Sequence, residues 1–325
     1  MNPTEVYVPV ALTTRSGFPE SVHFGAVVAL DRDGSIAFSA GDPTVGMYPR
    51  SSNKPMQAAA MVSAGLSLPP DLLALVCASH DGTVMHLDAA RGILAHAGLD
   101  ESALMNTLDL PLDPSAAEAV LRSGGGRSAL QMNCSGKHSG MLATCVINGW
   151  PLASYLDASH PLQVHITESL PALIGERVAH IGVDGCGAPA HVLSLLGLAR
   201  GFRNIATGAA GAAGTDVYEA MTANPTMVGG SRRDVTRLMQ HVPGLVAKDG
   251  ADGVFAAALP DGRAVALKIS DGANRARPPV MLAALQALGI DVSNAAPLLH
   301  EYVRGHGQVV GEVTAINGLF GASHG

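Results

Sequence analysis

The chain has 325 residues, 47% of them apolar and 14% charged, with a formal net charge of −7. That composition supplies a sizeable core and disfavours disorder, while the acidic balance, with no Lys/Arg cluster to offset it, disfavours nucleic acid or an acidic membrane as partner. The opening "MNPTEVYVPVALTTRSGFPE" lacks the pattern of a secretory signal, and no apolar run reaches the about 18 residues of a membrane span. Four cysteines are too few for a disulfide framework, so a reduced, cytoplasmic protein is expected.

Residues 22–40, "VHFGAVVALDRDGSIAFSA", read as a β-hairpin of two apolar stretches joined by the turn "DRDG". In "YPRSSNKPMQAAAMVSAGL", Pro55 belongs in a first helical turn, so a helix begins near Ser51 or Ser52, and Gly65 with "LPP" ends it. Ser51 and Lys54 then share one face beside the free N–H groups of the helix start. "CASHDGT" sets Ser79 and His80 at the end of an apolar helix. "QMNCSGKHSGML" packs Asn133, Cys134, Ser135, Lys137 and His138 into a tight polar loop, and "VDGCGAPAH" puts Asp184 and Cys186 between glycines that allow sharp turns. "NIATGAAGAAGTD" reads as a flexible loop. Ser231 with Asp234 reads as a capping box opening a helix that ends around His241. Residues 253–270 form a second hairpin around "PDG", followed by the helix "PPVMLAALQALG" and the strand "GQVVGEV".

Strands at both ends with a mainly helical stretch between predict an α+β architecture: a largely antiparallel sheet from both chain ends with an inserted helical lobe. A single catalytic domain over 1–325 is expected, with a sheet subdomain from 1–50 and 246–325 and a helical lobe over 51–245. No G-x-G-x-x-G supports a Rossmann domain. "SGKHSG" fails as a P-loop, because Gln131 stands where a glycine is required and His138 where Ser or Thr is required.

A serine hydroxyl becomes a nucleophile when a neighbouring base takes its proton, and a lysine can serve if burial and positive neighbours hold it neutral. Ser51 and Lys54 have the S-x-x-K spacing of serine β-lactamases and penicillin-binding proteins. The spacing is common, and it equally fits an N-cap beside a solvated lysine. Together with the three polar segments that follow, in a chain so poor in charge, it points to one site. Cys77 and Cys145 sit in apolar runs and read as core. Cys134 and Cys186 sit among glycines and polar residues, where a thiolate can be used, and they start a zinc set whose third member, by residue type alone, is His138. The remaining histidines, among them His86, His180, His300 and His324, are read as surface or core residues.

The segments "RSSNKPMQA", "CASH", "NCSGKHSGML", "DGCGAP", "NPTMVGG" and "LKISDG", in this order over almost the whole chain, resemble the asparaginase II family, the Rhizobium etli type or class 3 L-asparaginases. "NCSGKH" with "DGCG" carries most of the specificity. The resemblance implies hydrolysis of L-asparagine to L-aspartate and ammonia by a serine–lysine enzyme, on a fold similar to serine β-lactamases and glutaminases, usually as a homodimer. It implies Ser51 with Lys54 as a first pair and Ser79 with Lys268 as a second. It implies a zinc ion on Cys134, Lys137 and Cys186, and polar site residues at Arg50, Asn133, His138 and Asp184. On this view Ser51 attacks with Lys54 as its base, Ser79 and Lys268 relay the proton to the leaving nitrogen, and the two lysines depress each other's pKa. Arg50 or Arg233 meets the substrate carboxylate and Asp184 its ammonium. The chain departs from the family's pattern at "MVGGSRRDVTRLM", where Arg232 stands in a glycine position. Two other functions fit the residues: another serine amidase or penicillin-recognising hydrolase, and a zinc- or ligand-binding protein without turnover. Two Ser–Lys pairs favour catalysis over binding.

Overall fold

The structure, a computed structural model, describes residues 6–320. His324 and the first five residues of the opening segment lie outside the described residues. In chain order the strands are β1 (Val8–Arg15), β2 (Phe18–Leu30), β3 (Ile36–Ala40), β4 (Gly46–Met47), β5 (His180–Val183), β6 (Pro189–Ser194), β7 (Val246–Gly250), β8 (Val254–Ala258), β9 (Ala264–Ile269), β10 (Glu301–Gly305) and β11 (Gln308–Ala315). Eight of them form one antiparallel sheet in the order β10-β11-β1-β2-β9-β8-β7, with β3 also on β2. Both hairpins are present, and the sheet draws its strands from the two ends of the chain, the α+β arrangement expected. The long β2 pairs with β1 through its first half and β3 through its second, while β9 takes the opposite edge from Gly25 to Leu30.

The helices are α1 (Lys54–Ser63), α2 (Pro70–Val76), α3 (Val84–His96), α4 (Pro114–Arg122), α5 (Ser135–Asn148), α6 (Pro161–Ile174), α7 (Leu195–Thr207), α8 (Gly211–Ala223), α9 (Pro225–Val228), α10 (Asp234–His241) and α11 (Arg277–Ala287). Strands β7 and β8 are buried along their whole length, which requires cover on both faces; β8 is apolar throughout, while β7 carries Lys248 and Asp249. Helix α7 packs on β2, β8 and β9, and α11 on β9 and β11. None of the described helices is long and apolar enough to cross a membrane.

Three local expectations change. The Gly/Ala-rich stretch read as a loop is the end of α7 and the start of α8, turned at Gly208 (φ +78°) and Gly211 (φ +72°). Its alanines favour helix, and the buried Ile205, Val217 and Met221 give the pair an inner face. Helix α10 ends at His241 as expected, but Arg233 stands at its N-cap with no capping side chain, so Ser231 does not open it. Inside the stretch read as helical lie β5 and β6, which with β4 just ahead of it form a second sheet in the order β4-β6-β5.

One packing contact positions the site. Added Cβ atoms at Gly136 and Gly140 would lie 2.5 Å from the Leu75 carbonyl oxygen and 2.8 Å from a Val76 methyl. Two glycines one helical turn apart therefore let α5 lie directly on α2. The end of α2 leads to Ser79, and the first turn of α5 carries Lys137 and His138, so this docking brings the two segments together. The residues read as a polar loop are thus largely the buried start of a helix.

Candidate active site

Arg50–Asn53 form one 3-10 turn ahead of α1. Arg50 holds φ +52°, a left-handed conformation that costs a non-glycine residue on the order of 1–3 kcal/mol. The turn rests on the end of β7: a Cβ at Gly250 would lie 2.5 Å from the Pro49 carbonyl oxygen and 2.9 Å from Ser52 Oγ. Ser52 Oγ also donates to the Lys248 carbonyl at 3.1 Å. Held this way, Ser51 borders a cavity of about 630 Å³ that it shares with Ser79, Asn133, Asp81, Arg233 and Asp249.

Lys54 is buried against this wall. Its Nζ donates to Ser79 Oγ at 3.2 Å, to Cys134 Sγ at 3.0 Å and to the Ala78 carbonyl. The Lys54 backbone N–H donates to the Ser51 carbonyl, but among the described residues no hydrogen bond joins their side chains, and the amine that meets Ser79 is that of Lys54, not Lys268. Lys268 lines a separate cleft with Tyr48 and Arg50, its Nζ bound to the Asp252 carbonyl, and burial lowers its pKa. Arg50 donates from Nε to Asp184 at 2.8 Å and also pairs with Asp252. These two expected substrate contacts are therefore committed to each other, in a crevice on the other side of Ser51. Asn133 faces the cavity, with its Oδ1 accepting from the Cys134 thiol at 3.2 Å.

Lys54, Lys137 and Lys248 are among the largest fully buried side chains of the protein. An ammonium out of water costs several kcal/mol unless partnered, so these three need an account. Lys248 Nζ donates to Asp249 Oδ1 at 2.6 Å. The same carboxylate takes Arg233, with Arg277 at 3.5 Å. Burial pushes Lys248 down to about 8 against the pull of Asp249, and the positive charge of Lys54 adds to the lowering. Burial opposes ionisation of Asp249, but Lys248, Arg233 and Arg277 together hold its carboxyl well below the usual range. Asp249 in turn raises the pKa of Arg233, whose Nη1 donates to the Ser79 carbonyl at 3.4 Å. The sequence reading missed Lys248, Asp249, Asp81 and Arg277. A signal existed for the first two: a charged pair inside the apolar strand of "GLVAKDG" must find partners or be misplaced.

The thiols of Cys134 and Cys186 interact with each other, and Lys137 Nζ lies 3.2 Å from Cys186 Sγ. The neighbouring Cys134, then Lys137 and His138, hold the Cys186 thiol far below its ordinary range against burial. His138 Nδ1 is 2.9 Å from the Tyr155 hydroxyl, and its Nε2 is buried without a partner. Among the described residues no three His, Cys, Asp or Glu side chains converge as a metal site, so a tetrahedral set here needs the Lys137 amine. Two thiols and an unpartnered imidazole nitrogen are donors of the kind zinc takes, and the Lys137 amine would join them only on losing its proton.

The family model described as L-asparaginase II matches residues 11–315. The chain belongs to the L-asparaginase II family. No curated protein matches it. Similar solved structures include Mglu in its native form, at 16% identity over 81% of this chain and 62% of that one, with a TM-score of 0.36. A β-lactamase from Mycobacterium bovis is 14% identical over 81% of this chain and 94% of its own, with a TM-score of 0.38. EstCE1, a hydrolase with promiscuous acyltransferase activity, is 13% identical over 87% and 94% of the two chains, with a TM-score of 0.39. The chain spans about three fifths of the length of Mglu, 62%.

Proposed function

We propose that the protein is an amidohydrolase whose substrate is L-asparagine, released as L-aspartate and ammonia. The observation that carries this is a pair of serines, Ser51 and Ser79, on one cavity with the buried amine of Lys54 3.2 Å from Ser79. Ser51, whose hydroxyl has no hydrogen-bond partner among the described residues, attacks the side-chain carbonyl carbon, and its proton passes through Ser79 to the Lys54 amine. The side-chain Nδ2 of Asn133, which lines the cavity and has no hydrogen-bond partner among the described residues, donates to the oxyanion. Collapse breaks the C–N bond, and the proton returns along the same path to the departing nitrogen. Water then cleaves the aspartyl ester on Ser51, with Lys54 and Ser79 again taking a proton. Cys134, Lys137 and Cys186 would hold a zinc ion, which supplies positive charge beside the Lys54 pocket.

The direct Lys54–Ser79 contact favours a second reading in which Ser79 itself attacks. Acid-quenching the protein during turnover of L-asparagine and mapping its peptides by mass spectrometry separates the two. An aspartyl ester on the Ser51 peptide supports the first, and one on the Ser79 peptide the second. Neither ester, with no ammonia released, contradicts both.

A further inference from the structure

We propose that Arg232 binds the α-carboxylate of the substrate at the rim of the cavity that holds Ser51 and Ser79, and so selects amides that carry a free carboxylate. The assignment deepens the amidohydrolase reading and rests on it for the identity of the cavity. The carboxylate of L-asparagine lies close behind its side-chain amide, so it enters with the reacting group, and leaving it there without a partner would be costly.

The arginines that line the cavity are Arg232, Arg233 and Arg277. Two of them are spent. Arg233 donates to the Ser79 carbonyl and to Asp249, with Asp81 3.6 Å away. Arg277 sets its terminal nitrogens on the Gly250 carbonyl and on Asp234, each at 3.0 Å, with Asp249 at 3.5 Å, and its Nε is enclosed by protein. Arg232 differs. Its side chain is 66% exposed, and among the described residues its one hydrogen bond runs from Nη2 to Asp113 Oδ2 at 2.9 Å. A guanidinium carries five N–H donors, so most of them remain for an anion that arrives from solvent.

An exposed arginine is ordinarily free to sweep, but this one is held at both ends. Its backbone lies between Gly230, at φ +121°, where a Cβ would overlap Asp81 Oδ2, and Arg233, which is anchored on Asp249 at the N-cap of α10. Its guanidinium is tied to Asp113, which is itself fixed. Asp113 Oδ1 accepts from the Ala116 N–H at 2.9 Å at the start of α4, and the Asp113 N–H donates to the Asp81 carbonyl at 2.9 Å. Asp81 follows Ser79 by two residues, so these contacts tie the guanidinium to the segment that carries the serine. A cation with spare donors, positioned on the wall of the serine cavity and open to solvent, is the contact a substrate carboxylate needs.

The test is calorimetric binding to the full chain of L-aspartate and of β-alaninamide, which keeps the ammonium and the amide but has no carboxylate, run beside ammonia release from L-asparagine. Arg232→Gly, which restores the glycine of the family's pattern, should weaken L-aspartate by about tenfold to a hundredfold and leave β-alaninamide unchanged. Arg232→Lys should recover part of the loss, since the charge returns without the planar fork. Raising the ionic strength from about 0.01 M to about 1 M should narrow the gap between the parent and Arg232→Gly, because a contact at the rim is screened. If β-alaninamide fails to bind even the parent, the lysine rescue and the salt response decide, since a cavity that had lost its shape would show neither. Equal L-aspartate affinity in the parent and Arg232→Gly, equal losses on the two ligands, or no L-aspartate binding by the parent would overturn the assignment. Selective loss without ammonia release would leave the carboxylate contact standing and remove the asparaginase reading; ammonia release with an unchanged kcat/KM in Arg232→Gly would do the reverse.

Discussion

Asp249→Asn is the sharpest perturbation of the network under the cavity. The carboxylate is 4% exposed and faces three cations: Lys248 at 2.6 Å, Arg233, and Arg277 at 3.5 Å. The amide keeps the shape and removes the single negative charge on which all three converge. Breaking a buried ion pair in this way typically costs about 3–5 kcal/mol, because the charge left behind is uncompensated. With an unfolding entropy of roughly 0.7 kcal/mol/K for a chain of this size, the melting temperature should fall by about 4–7 °C. The pH dependence has a definite sign. The native carboxyl is held below its ordinary value, so its contribution is fully present above the unfolded pKa of about 3.9 and is lost only as pH falls through the lower native value. Calorimetric scans of parent and variant should therefore differ by a constant amount from pH 5 to 7. A variant within about 1 kcal/mol of the parent, the scale of an exposed ion pair, would refute the claim that this cluster is a buried, interdependent unit.

Gly136→Ala places a methyl 2.5 Å from the Leu75 carbonyl oxygen, so α5 must move off α2 by roughly an ångström; overpacking of this kind costs about 1–3 kcal/mol, less the helix propensity gained, in urea unfolding. Lys248, pushed by burial to about 8 from an ordinary 10.5, is a charge borne at a cost below pH 8, and that cost lifts as pH rises from about 8 to 10.5 because the folded state sheds its proton first. Lys248→Met should therefore lose the parent's relative gain in melting temperature across that window; an unchanged profile would show that Lys248 does not titrate there. Metal analysis of the purified protein should find roughly one zinc per chain, and Cys186→Ser should lose it, whereas equal zinc in both would remove the thiols from the ligand set.

The terminal sheet was legible because its hairpins announce themselves: "DRDG" and "PDG" separate apolar runs of strand length. Pro55 likewise marked the helical entry, with the expected start at Ser51 or Ser52 falling in the 3-10 turn Arg50–Asn53 that leads into α1 at Lys54. The small sheet was not legible, since β4 has two residues and β5 four, too few for a period to register. The polar segment around Lys137 was misread because burying the first turn of α5 depends on Gly136 and Gly140 meeting Leu75 and Val76, which lie on a separate helix far earlier in the chain. The same limit applies to chemistry. S-x-x-K spacing set Ser51 beside Lys54, but the Lys54 side chain reaches past the turn to Ser79, a contact that follows from the fold of α2 against α1 and α5. Lys248, Asp249 and Arg277 converge from positions that no local pattern links. The glycine position filled by Arg232 proves to sit at the cavity rim, paired with Asp113.

The central claim is that a serine on this cavity, served by Lys54, opens the amide of L-asparagine. Ammonia release from L-asparagine should therefore be measured for the parent and for Ser51→Ala, Ser79→Ala and Lys54→Met, with thermal melting to confirm folding. Release by the parent that falls about a thousandfold or more in the folded Ser51→Ala and Lys54→Met variants is the predicted result. Undiminished release in those variants, or none from the zinc-supplied parent, would contradict it.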